Sequence, residues 1–365
     1  MKKILRSVWI VYCIVLIAVF ITSSFTTFIS PASFSYISLF AIAFPYIFIL
    51  VLVSSIISFY IKKRLAFILL ICLLPGLYNL FHTIAFNFPV KFNAVKNDST
   101  LRIMTWNVQD FVDLKPKSDT SFRMLQLINQ KNPYVVCIQE LTNVEGGIRR
   151  ISIREKMDSF GYAYHFFSND EVRINKKNVV AIRGVAVFSK IPFTDSGRIN
   201  ITKSETNENL IYVDVNFNNK PLRIYTAHLA SFGLYKDTDN TAKDIYEITY
   251  TRKRAIQYKL RDVEQLHEKE VAIIHAEISN TSLPVVYCGD MNAVPSSYNY
   301  RTLKNDLQDA FLEKGFGIGV TFYKIAPTLR IDYCLADKRF KVTNCMVINQ
   351  KLSDHYPVLT DMQWK

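Results

Sequence analysis

Residues 285–292 read VVYCGDMN, and the rest of the chain is organised around them. The apolar half of this stretch is typical of a short buried strand, and Gly289 predicts where that strand ends. Asp290 and Asn292 follow, and side chains two residues apart in an extended chain point the same way. A carboxylate binds metal ions or polarises water, whereas an amide donates hydrogen bonds to phosphate oxygens. The stretch alone suits either a polar site at a strand end or a plain turn.

The composition divides the chain into two unlike parts. Up to residue 90 there is no acidic residue, whereas 38 of the 44 basic residues and all 31 acidic residues follow, which gives the second part a net charge of +7. Such a balance suits phosphate-bearing partners, and it also suits solubility. The six cysteines show no paired Cys-x-x-Cys spacing, so neither a zinc site nor a disulfide framework is predicted.

Three long uncharged segments predict transmembrane helices at residues 8–29, 34–61 and 65–88. Basic residues precede the first segment (Lys2, Lys3, Arg6) and separate the second from the third (Lys62, Lys63, Arg64). Because basic ends stay in the cytoplasm, three spans place the rest of the chain outside it, whereas two spans would leave it inside. We therefore predict a multi-pass anchor of the plasma (inner) membrane at 1–90, a linker at 91–100 and an extracytoplasmic domain at 101–365.

Within this domain, polar residues recur in or at the ends of strand-like runs. Besides Asp290 and Asn292, they are Asn107, Glu140, His228, Asp332, Asp354 and His355. The pattern also predicts helices at 118–132, 241–279 and 301–313, and a hairpin at 211–229 around Asn218-Asn219. One polar strand end is ordinary, but so many in one domain indicate a single site.

These segments together resemble the endonuclease/exonuclease/phosphatase superfamily, which includes DNase I, abasic-site endonucleases, neutral sphingomyelinases and inositol phosphatases. The motifs that carry the resemblance are TWNV (105–108), IQEL (138–141), GVAVFSK (184–190), AHL (227–229), GDMN (289–292), RIDY (330–333) and SDH (353–355). The resemblance implies a four-layered α/β sandwich of the DNase I type, with two mixed β-sheets flanked by helices, here preceded by the transmembrane helices.

The resemblance also implies a metal site. Glu140 corresponds to the main Mg²⁺ ligand, with Asn107 beside it and Asp354 as a further acid on the metal side, and Mn²⁺ is a possible substitute. Mg²⁺ prefers carboxylate, amide oxygen and water, which agrees with the lack of a Cys/His cluster.

The other positions correspond to the family's catalytic residues. Asp290 would orient or deprotonate the attacking water, and Asn292 would clamp the phosphate. His355 would act as a base or phosphate contact oriented by Asp332, and His228 as an acid or transition-state donor. Which group takes the proton from water stays open.

The implied reaction is Mg²⁺-dependent hydrolysis of a phosphodiester by in-line attack of water, and several substrates are open. The inositol-phosphatase branch is disfavoured by Ala293-Val294-Pro295 and by Ile331-Asp332-Tyr333, and the abasic-site branch by His228, where a tyrosine is typical. The basic balance favours a nuclease of low sequence specificity. A sphingomyelinase-like phospholipid phosphodiesterase is the alternative, since His228 and a domain beside a bilayer fit it. A catalytically dead membrane binding module is the third possibility.

Overall fold

The computed structural model describes residues 2–34, 36–88, 92, 97–111, 120–145, 153–174, 180–202, 209–231 and 245–365. The helices are α1 (Lys2–Ser24), α2 (Ile37–Ile61), α3 (Lys63–Cys72), α4 (Leu77–Thr83), α5 (Thr120–Lys131), α6 (Ile153–Ser159), α7 (Ile245–Asn280), α8 (Tyr298–Lys304) and α9 (Ala310–Lys314). The strands are β1 (Ala85–Phe86), β2 (Leu101–Asn107), β3 (Val135–Glu145), β4 (Tyr164–Phe167), β5 (Glu171–Ile174), β6 (Val180–Ser189), β7 (Phe193–Asn200), β8 (Asn209–Phe217), β9 (Lys220–Thr226), β10 (Val285–Asp290), β11 (Gln308–Asp309), β12 (Phe316–Gly317), β13 (Asp332–Ala336), β14 (Phe340–Val347) and β15 (Val358–Trp364).

Three helical segments near the N-terminus are long and apolar enough to cross a membrane: Lys3–Phe28, Ile37–Ile61 and Lys63–Thr83. The third comprises α3 and α4, which are joined by a 3₁₀ turn at Leu74–Gly76. Pro75 explains this break, because proline has no N–H for the helical ladder. The third segment ends at Thr83, earlier than the predicted residue 88, since the chain becomes extended at Ile84 and forms β1.

The chain divides into two compact units. The first comprises Met1–Ile84, Ser231–Glu268 and Ala293–Thr302, and the second comprises Ala85–Ala230, Lys269–Asn292 and Leu303–Lys365. The predicted linker 91–100 lies mostly outside the described residues.

Inside the first unit, the connection between α1 and α2 is hydrogen-bonded to segments from beyond residue 260. The hydroxyl of Thr26 donates to the carbonyl of Ser296 (2.5 Å), and the hydroxyl of Ser296 donates to the carbonyl of Ala41 (2.7 Å). The Ser30 hydroxyl and the Ala32 N–H donate to the carboxylate of Glu268 on α7, at 2.7 and 3.0 Å.

The second unit contains two mixed sheets. Among the described residues, one sheet has the strand order β11-β13-β10-β9-β8-β7, and the other has β14-β15-β2-β3-β6-β4, with β5 also paired to β6. The pairs β2–β3 and β9–β10 are parallel, and the other pairs are antiparallel. Asn218 and Asn219 have φ of 53° and 60°, as a tight hairpin turn between β8 and β9 requires, so the predicted hairpin is confirmed.

The main core lies between the two sheets. It is built from inward-facing apolar residues of both, including Ile103, Cys137, Val213 and Cys288. A second core packs the opposite face of the β2–β3 sheet against helices α5 and α6, through residues such as Trp106, Ile128 and Met157. The far side of the other sheet meets α7, where the hydroxyl of Tyr225 donates to the carbonyl of Glu277 (3.4 Å). The second unit is therefore the four-layered α/β sandwich that the sequence predicted.

The predicted helix at 301–313 is wrong. Helix α8 ends at Lys304. The next residue, Asn305, has a left-handed φ of 37°, and a right-handed helix cannot continue through such a residue. Gln308 and Asp309 instead pair with β13, and the Asp309 carboxylate accepts the N–H groups of Phe311 and Leu312 as the N-cap of α9.

Candidate active site

Three polar residues meet where β9 and β10 end and the antiparallel β13 begins. Asp290, the last residue of β10, lies opposite Asp332 in the antiparallel pairing and forms a parallel bridge with His228. Gly289 permits this approach, because a Cβ at its position would lie 2.3 Å from the carbonyl oxygen of Ala227. Only glycine lets the two backbones come so close.

The second sheet brings two more residues to the same place. Asn107 ends β2, and its amide nitrogen donates to Asp290 Oδ2 (3.0 Å) and Glu140 Oε1 (3.3 Å). The pairing of β3 with β6 slips between Ile138 and Leu141, and Glu140 takes a φ of 54° in this irregularity. Such left-handed backbone is costly for a side chain other than glycine, and it recurs at functional sites.

His355 and Asp332 form a tight pair. The Nδ1 atom of His355 lies 2.8 Å from Asp332 Oδ2 and 3.7 Å from Asp290 Oδ2. The ring of Phe322 lies 4.8 Å from the imidazole, and the indole N–H of Trp106 donates to the carbonyl of His355 (3.0 Å). The imidazole is therefore held on both its polar and apolar sides, and its Nε2 atom shows no hydrogen bond to the residues that the structure describes.

The second histidine, His228, lies across the site from this pair. Its Nε2 atom is 3.5 Å from Glu140 Oε1, 3.8 Å from Asp290 Oδ2 and 3.3 Å from the amide nitrogen of Asn292. Asn292 has a φ of 46°; its backbone N–H donates to Asp290 Oδ1 (2.9 Å) and its side chain donates to the carbonyl of Leu229 (2.7 Å). These bonds aim the amide of Asn292 at the site.

Asp354 completes the predicted set. It is half-buried, and its Oδ1 lies 3.1 Å from the hydroxyl of Ser353, which also donates to the carbonyl of Asn107 (2.8 Å). All eight residues that the sequence singled out therefore belong to one neighbourhood. Their individual roles remain predictions.

Burial and neighbouring charges shift the pKa values of Asp290, His355 and Asp354. Burial, followed by the neighbouring Asp332, raises the pKa of Asp290 to about 6, although His355 and His228 oppose the shift. Burial alone would lower the pKa of His355, but Asp332 and Asp290 together raise it to about 9. Burial also raises the pKa of Asp354, and the Glu140 carboxylate acts in the same direction.

Sequence reasoning missed three contributors. Arg183 on β6 forms an ion pair with Glu140, and only its place directly before the 184–190 motif hints at this. The amide of Gln139 is fully buried and bridges Thr105 of one sheet and Thr226 of the other, at 3.1 and 2.9 Å. The hydroxyl of Thr321 accepts the N–H groups of Ile331 and Asp332, at 3.0 and 3.1 Å, and so fixes the start of β13.

The residues fit a divalent metal ion. Oxygen and nitrogen atoms of Asp290, Asp332 and His355 lie within 4.8 Å of one another. The buried Oδ1 of Asp332 has no hydrogen-bond partner within the described part of the chain. Four carboxylates in one neighbourhood repel one another, and a divalent cation would offset that repulsion. The predicted ligands Asn107, Glu140 and Asp354 offer the oxygen donors that Mg²⁺ prefers.

Comparison with solved structures finds the same fold in proteins of low identity. An endonuclease/exonuclease/phosphatase from Beutenbergia cavernae DSM 12333 matches with 20% identity and a TM-score of 0.55, covering 73% of this chain and 72% of that one. D. rerio TDP2 complexed with single strand DNA product matches with 16% identity and a TM-score of 0.51, covering 73% and 99%. The human Nocturnin catalytic domain with bound sulfate anion matches with 18% identity and a TM-score of 0.50, covering 73% and 94%.

Comparison with family models separates the two parts of the chain. Residues 2–83 match a domain of unknown function (DUF8431). No curated protein matches the chain. Residues 104–355, which contain all eight predicted site residues, match the model of the endonuclease/exonuclease/phosphatase family. The chain therefore belongs to the endonuclease/exonuclease/phosphatase family and is a phosphoester hydrolase.

Proposed function

We propose that this hydrolase is a membrane-anchored, Mg²⁺-dependent phosphodiesterase that cleaves nucleic acid with little sequence preference. The observation that carries the chemistry is the buried group of Asp290, Asp332 and His355, with His228 on the other side of Asp290. Carboxylates that polarise water and imidazoles that exchange protons are what hydrolysis of a phosphodiester requires.

Asn107, Glu140 and Asp354 would hold the metal ion. When bound, Mg²⁺, or Mn²⁺ in its place, supplies positive charge that offsets the negative charge of the phosphodiester. Glu140 is the central ligand in this proposal, as the family resemblance implies, and its carboxylate lies among Asn107, His228 and Arg183.

The remaining residues act on protons and on the phosphate. With a pKa of about 6, Asp290 is mainly ionised at neutral pH, so its carboxylate can accept a proton from water or orient it. His355, with a pKa of about 9, carries a proton at neutral pH, so its free Nε2–H can donate to a phosphate oxygen. Asn292, fixed by the carbonyl of Leu229, presents its amide as a further donor. This assignment favours Asp290 over His355 as the base.

Two facts support nucleic acid as the substrate class. One structural neighbour, D. rerio TDP2, was solved with a single strand DNA product. The chain beyond residue 90 carries a net charge of +7, which attracts a phosphate backbone irrespective of base sequence. Basic residues are concentrated in segments 173–183 and 252–261, which lie largely outside the residues whose side chains are described.

A phospholipid phosphodiesterase is the second candidate, and a specific observation favours it. An enzyme that works at a lipid surface needs exposed apolar side chains to reach the interface. Phe316, which begins the apolar and glycine-rich run 316–320, is 64% exposed.

We also propose that the catalytic domain lies outside the cytoplasm, across three spans. The hydrogen bonds of Ser30 to Glu268 and of Thr26 to Ser296 join the α1–α2 connection to segments that follow residue 100. A spanning helix has its two ends on opposite sides of the bilayer, so these segments lie opposite the basic connection Lys62–Arg64. That connection is expected in the cytoplasm. The division at residues 90 and 100 remains a prediction.

The test uses the full chain in lipid nanodiscs. Hydrolysis of bis(p-nitrophenyl) phosphate is expected with Mg²⁺ and should vanish in EDTA; no hydrolysis under any metal would instead support the binding-module alternative. Plasmid DNA, RNA and choline-phospholipid vesicles are then compared at rising salt. Cleavage of nucleic acid that weakens steeply with salt supports the nuclease. Cleavage of the vesicles alone, with little effect of salt, would support the lipid enzyme.

A further inference from the structure

Three phenylalanines of the second unit are unusually exposed. Phe86, Phe88 and Phe316 have exposed fractions of 62%, 91% and 64%, and we call them the aromatic patch. At about 200 Å² for each ring, the three side chains together expose roughly 400 Å² of apolar surface. A patch of that size on a single protein commonly marks an interaction surface.

The fold holds the patch in place. Phe86 and Phe316 lie opposite each other in the antiparallel pair of β1 and β12, so their side chains share a face. Ala85, the residue before Phe86, is buried in the main core. The alternation from buried Ala85 to exposed Phe86 is that of a strand with one face in the core and one face outside.

Asn87 fixes the same segment from the side. Its amide donates to the carbonyls of Leu312 (2.9 Å) and Gly315 (3.0 Å), at the end of α9. The last carbonyls of a helix have no partner within the helix, so this side chain caps α9 and ties residues 85–88 to the catalytic domain. The domain, rather than a free tether, therefore sets the position of Phe86.

The first residue of this patch follows closely in sequence after the apolar helices. Phe86 follows Thr83, the end of the third apolar segment, by three residues. An extended chain advances about 3.5 Å per residue, so Phe86 lies within roughly 10 Å of that helix end. Exposed apolar side chains such as Phe insert at the boundary between the headgroups and the acyl chains when a protein surface rests on a bilayer. Lys314 in the last turn of α9 adds a positive charge that suits anionic headgroups.

We propose that the aromatic patch rests in the headgroup region of the bilayer that holds the apolar helices, and so fixes the catalytic domain against the membrane surface. This inference depends on the membrane anchoring proposed above.

The consequence concerns where the enzyme works. Phe316 precedes Phe322 by six positions, and the ring of Phe322 lies 4.8 Å from the imidazole of His355. Six residues of extended chain reach about 20 Å at most, which is the upper limit on the distance between the patch and this edge of the candidate site. Substrate would therefore be cleaved close to the membrane surface.

The test measures lipid contact at single labelled positions of the full chain. Phe316→Cys is labelled with a small fluorophore in a Cys72→Ala background, because the other five native cysteines are buried. The protein is placed in nanodiscs with lipids that carry a doxyl quencher just below the headgroup. Phe122→Cys is the matched control, since Phe122 is also exposed and lies on α5, the helix that packs against the outer face of the β2–β3 sheet. Ile49→Cys on α2 reports on the anchor itself.

We expect doxyl lipid to quench the label at position 316 several-fold more than the label at 122, and the label at 49 to respond to a quencher deep in the bilayer. Equal quenching at 316 and 122, with normal quenching at 49, overturns the inference but leaves the anchoring intact. A label at 316 that is shielded from water-soluble iodide but not quenched by lipid means that a second copy covers the patch, which also overturns it. If a quencher deep in the bilayer does not quench the label at position 49, the proposed anchoring itself is wrong.

Discussion

At the scale of single residues, Asp290 is the most constrained group of the candidate site. Its side chain is 1% exposed, and its two oxygens accept hydrogen bonds from Asn107 and from the backbone of Asn292. The raised pKa shows that the surroundings disfavour its charge. A buried carboxylate that titrates near neutral pH costs folding stability, whereas an amide of the same shape would not. Such a group is suited to proton transfer rather than to stabilising the fold.

We predict that Asp290→Asn and His355→Ala each reduce hydrolysis of bis(p-nitrophenyl) phosphate by several orders of magnitude. When catalytic groups act together, the loss of any one of them removes most of the rate enhancement. Asp290→Asn should unfold at the same temperature as the native protein or higher, since it removes a buried charge. Asp195→Asn, at a carboxylate that is 57% exposed, is the control and should keep full activity. Turnover near the native rate in either site variant would refute the assignment.

Arg183 leads to a separate prediction. Its guanidinium contacts Glu140, the proposed central ligand, so the arginine and a metal ion compete for one carboxylate. We expect Arg183→Gln to bind Mn²⁺ several-fold more tightly, as measured by electron paramagnetic resonance of the free ion.

The matched control for Arg183→Gln is Arg339→Gln, which breaks the Arg339–Asp337 pair elsewhere in the domain and should leave metal affinity unchanged. If both variants bind Mn²⁺ like the native chain, Arg183 does not compete with the metal ion.

At the scale of elements, strand ends were predictable and backbone irregularities were not. A run such as 134–138 predicts a strand because its side chains are mostly apolar. The polar pair Gln139-Glu140 that ends the run therefore falls at the edge of the sheet, where the site lies. The left-handed φ of Glu140 depends on how β3 meets β6, which pairs residues far apart in sequence.

The error at 301–313 has a similar cause. The apolar spacing suits a helix, but Asp309 is bound to Arg330 and caps a new helix instead. Contacts with a distant strand overrode the local preference. Arg183 escaped notice for the same reason, because only the folded sheet brings it to Glu140.

Helix α7 offers a prediction about pH. Glu264 is 1% exposed, and burial raises its pKa from the ordinary 4.5 to about 7, with Glu268 acting in the same direction and a hydrogen bond from Ser38 opposing it. Below pH 4.5 the Glu264 carboxyl is protonated in both the folded and the unfolded chain, so its ionisation does not change the free energy of unfolding. Between pH 4.5 and 7 the unfolded chain ionises first, and stability falls as pH rises.

Glu264→Gln should therefore raise the unfolding temperature of the full chain at pH 8 and change it little at pH 4.5. The exposed Glu313→Gln, measured by the same thermal scans, is the control and should give no such difference. An equal effect of Glu264→Gln at both pH values would show that ionisation of this carboxyl does not matter to stability.

At the scale of the whole molecule, the chain joins a family fold to an apolar segment that matches a different family model. The sequence predicted this division from charge alone, because acidic residues are absent up to residue 90. It could not predict that the first compact unit also includes 231–268 and 293–302. Those segments are distant in sequence, and only folding reveals their hydrogen bonds to the α1–α2 connection. The same hydrogen bonds support the proposed membrane topology independently of hydropathy, because they join the later segments to the α1–α2 connection.

The topology can be tested with reporters fused after Arg64 and after Lys365 in otherwise identical chains. Glu268 and Ser296 bond to the α1–α2 connection, and the basic Lys62–Arg64 connection lies at the opposite end of α2. Because basic connections stay in the cytoplasm, alkaline phosphatase should be active after Lys365 and inactive after Arg64, and a cytoplasmic fluorescent protein should give the reverse pattern. The Arg64 fusions control for expression. Fluorescence at both positions would mean that the C-terminal domain is cytoplasmic and that the apolar segments do not cross the bilayer three times.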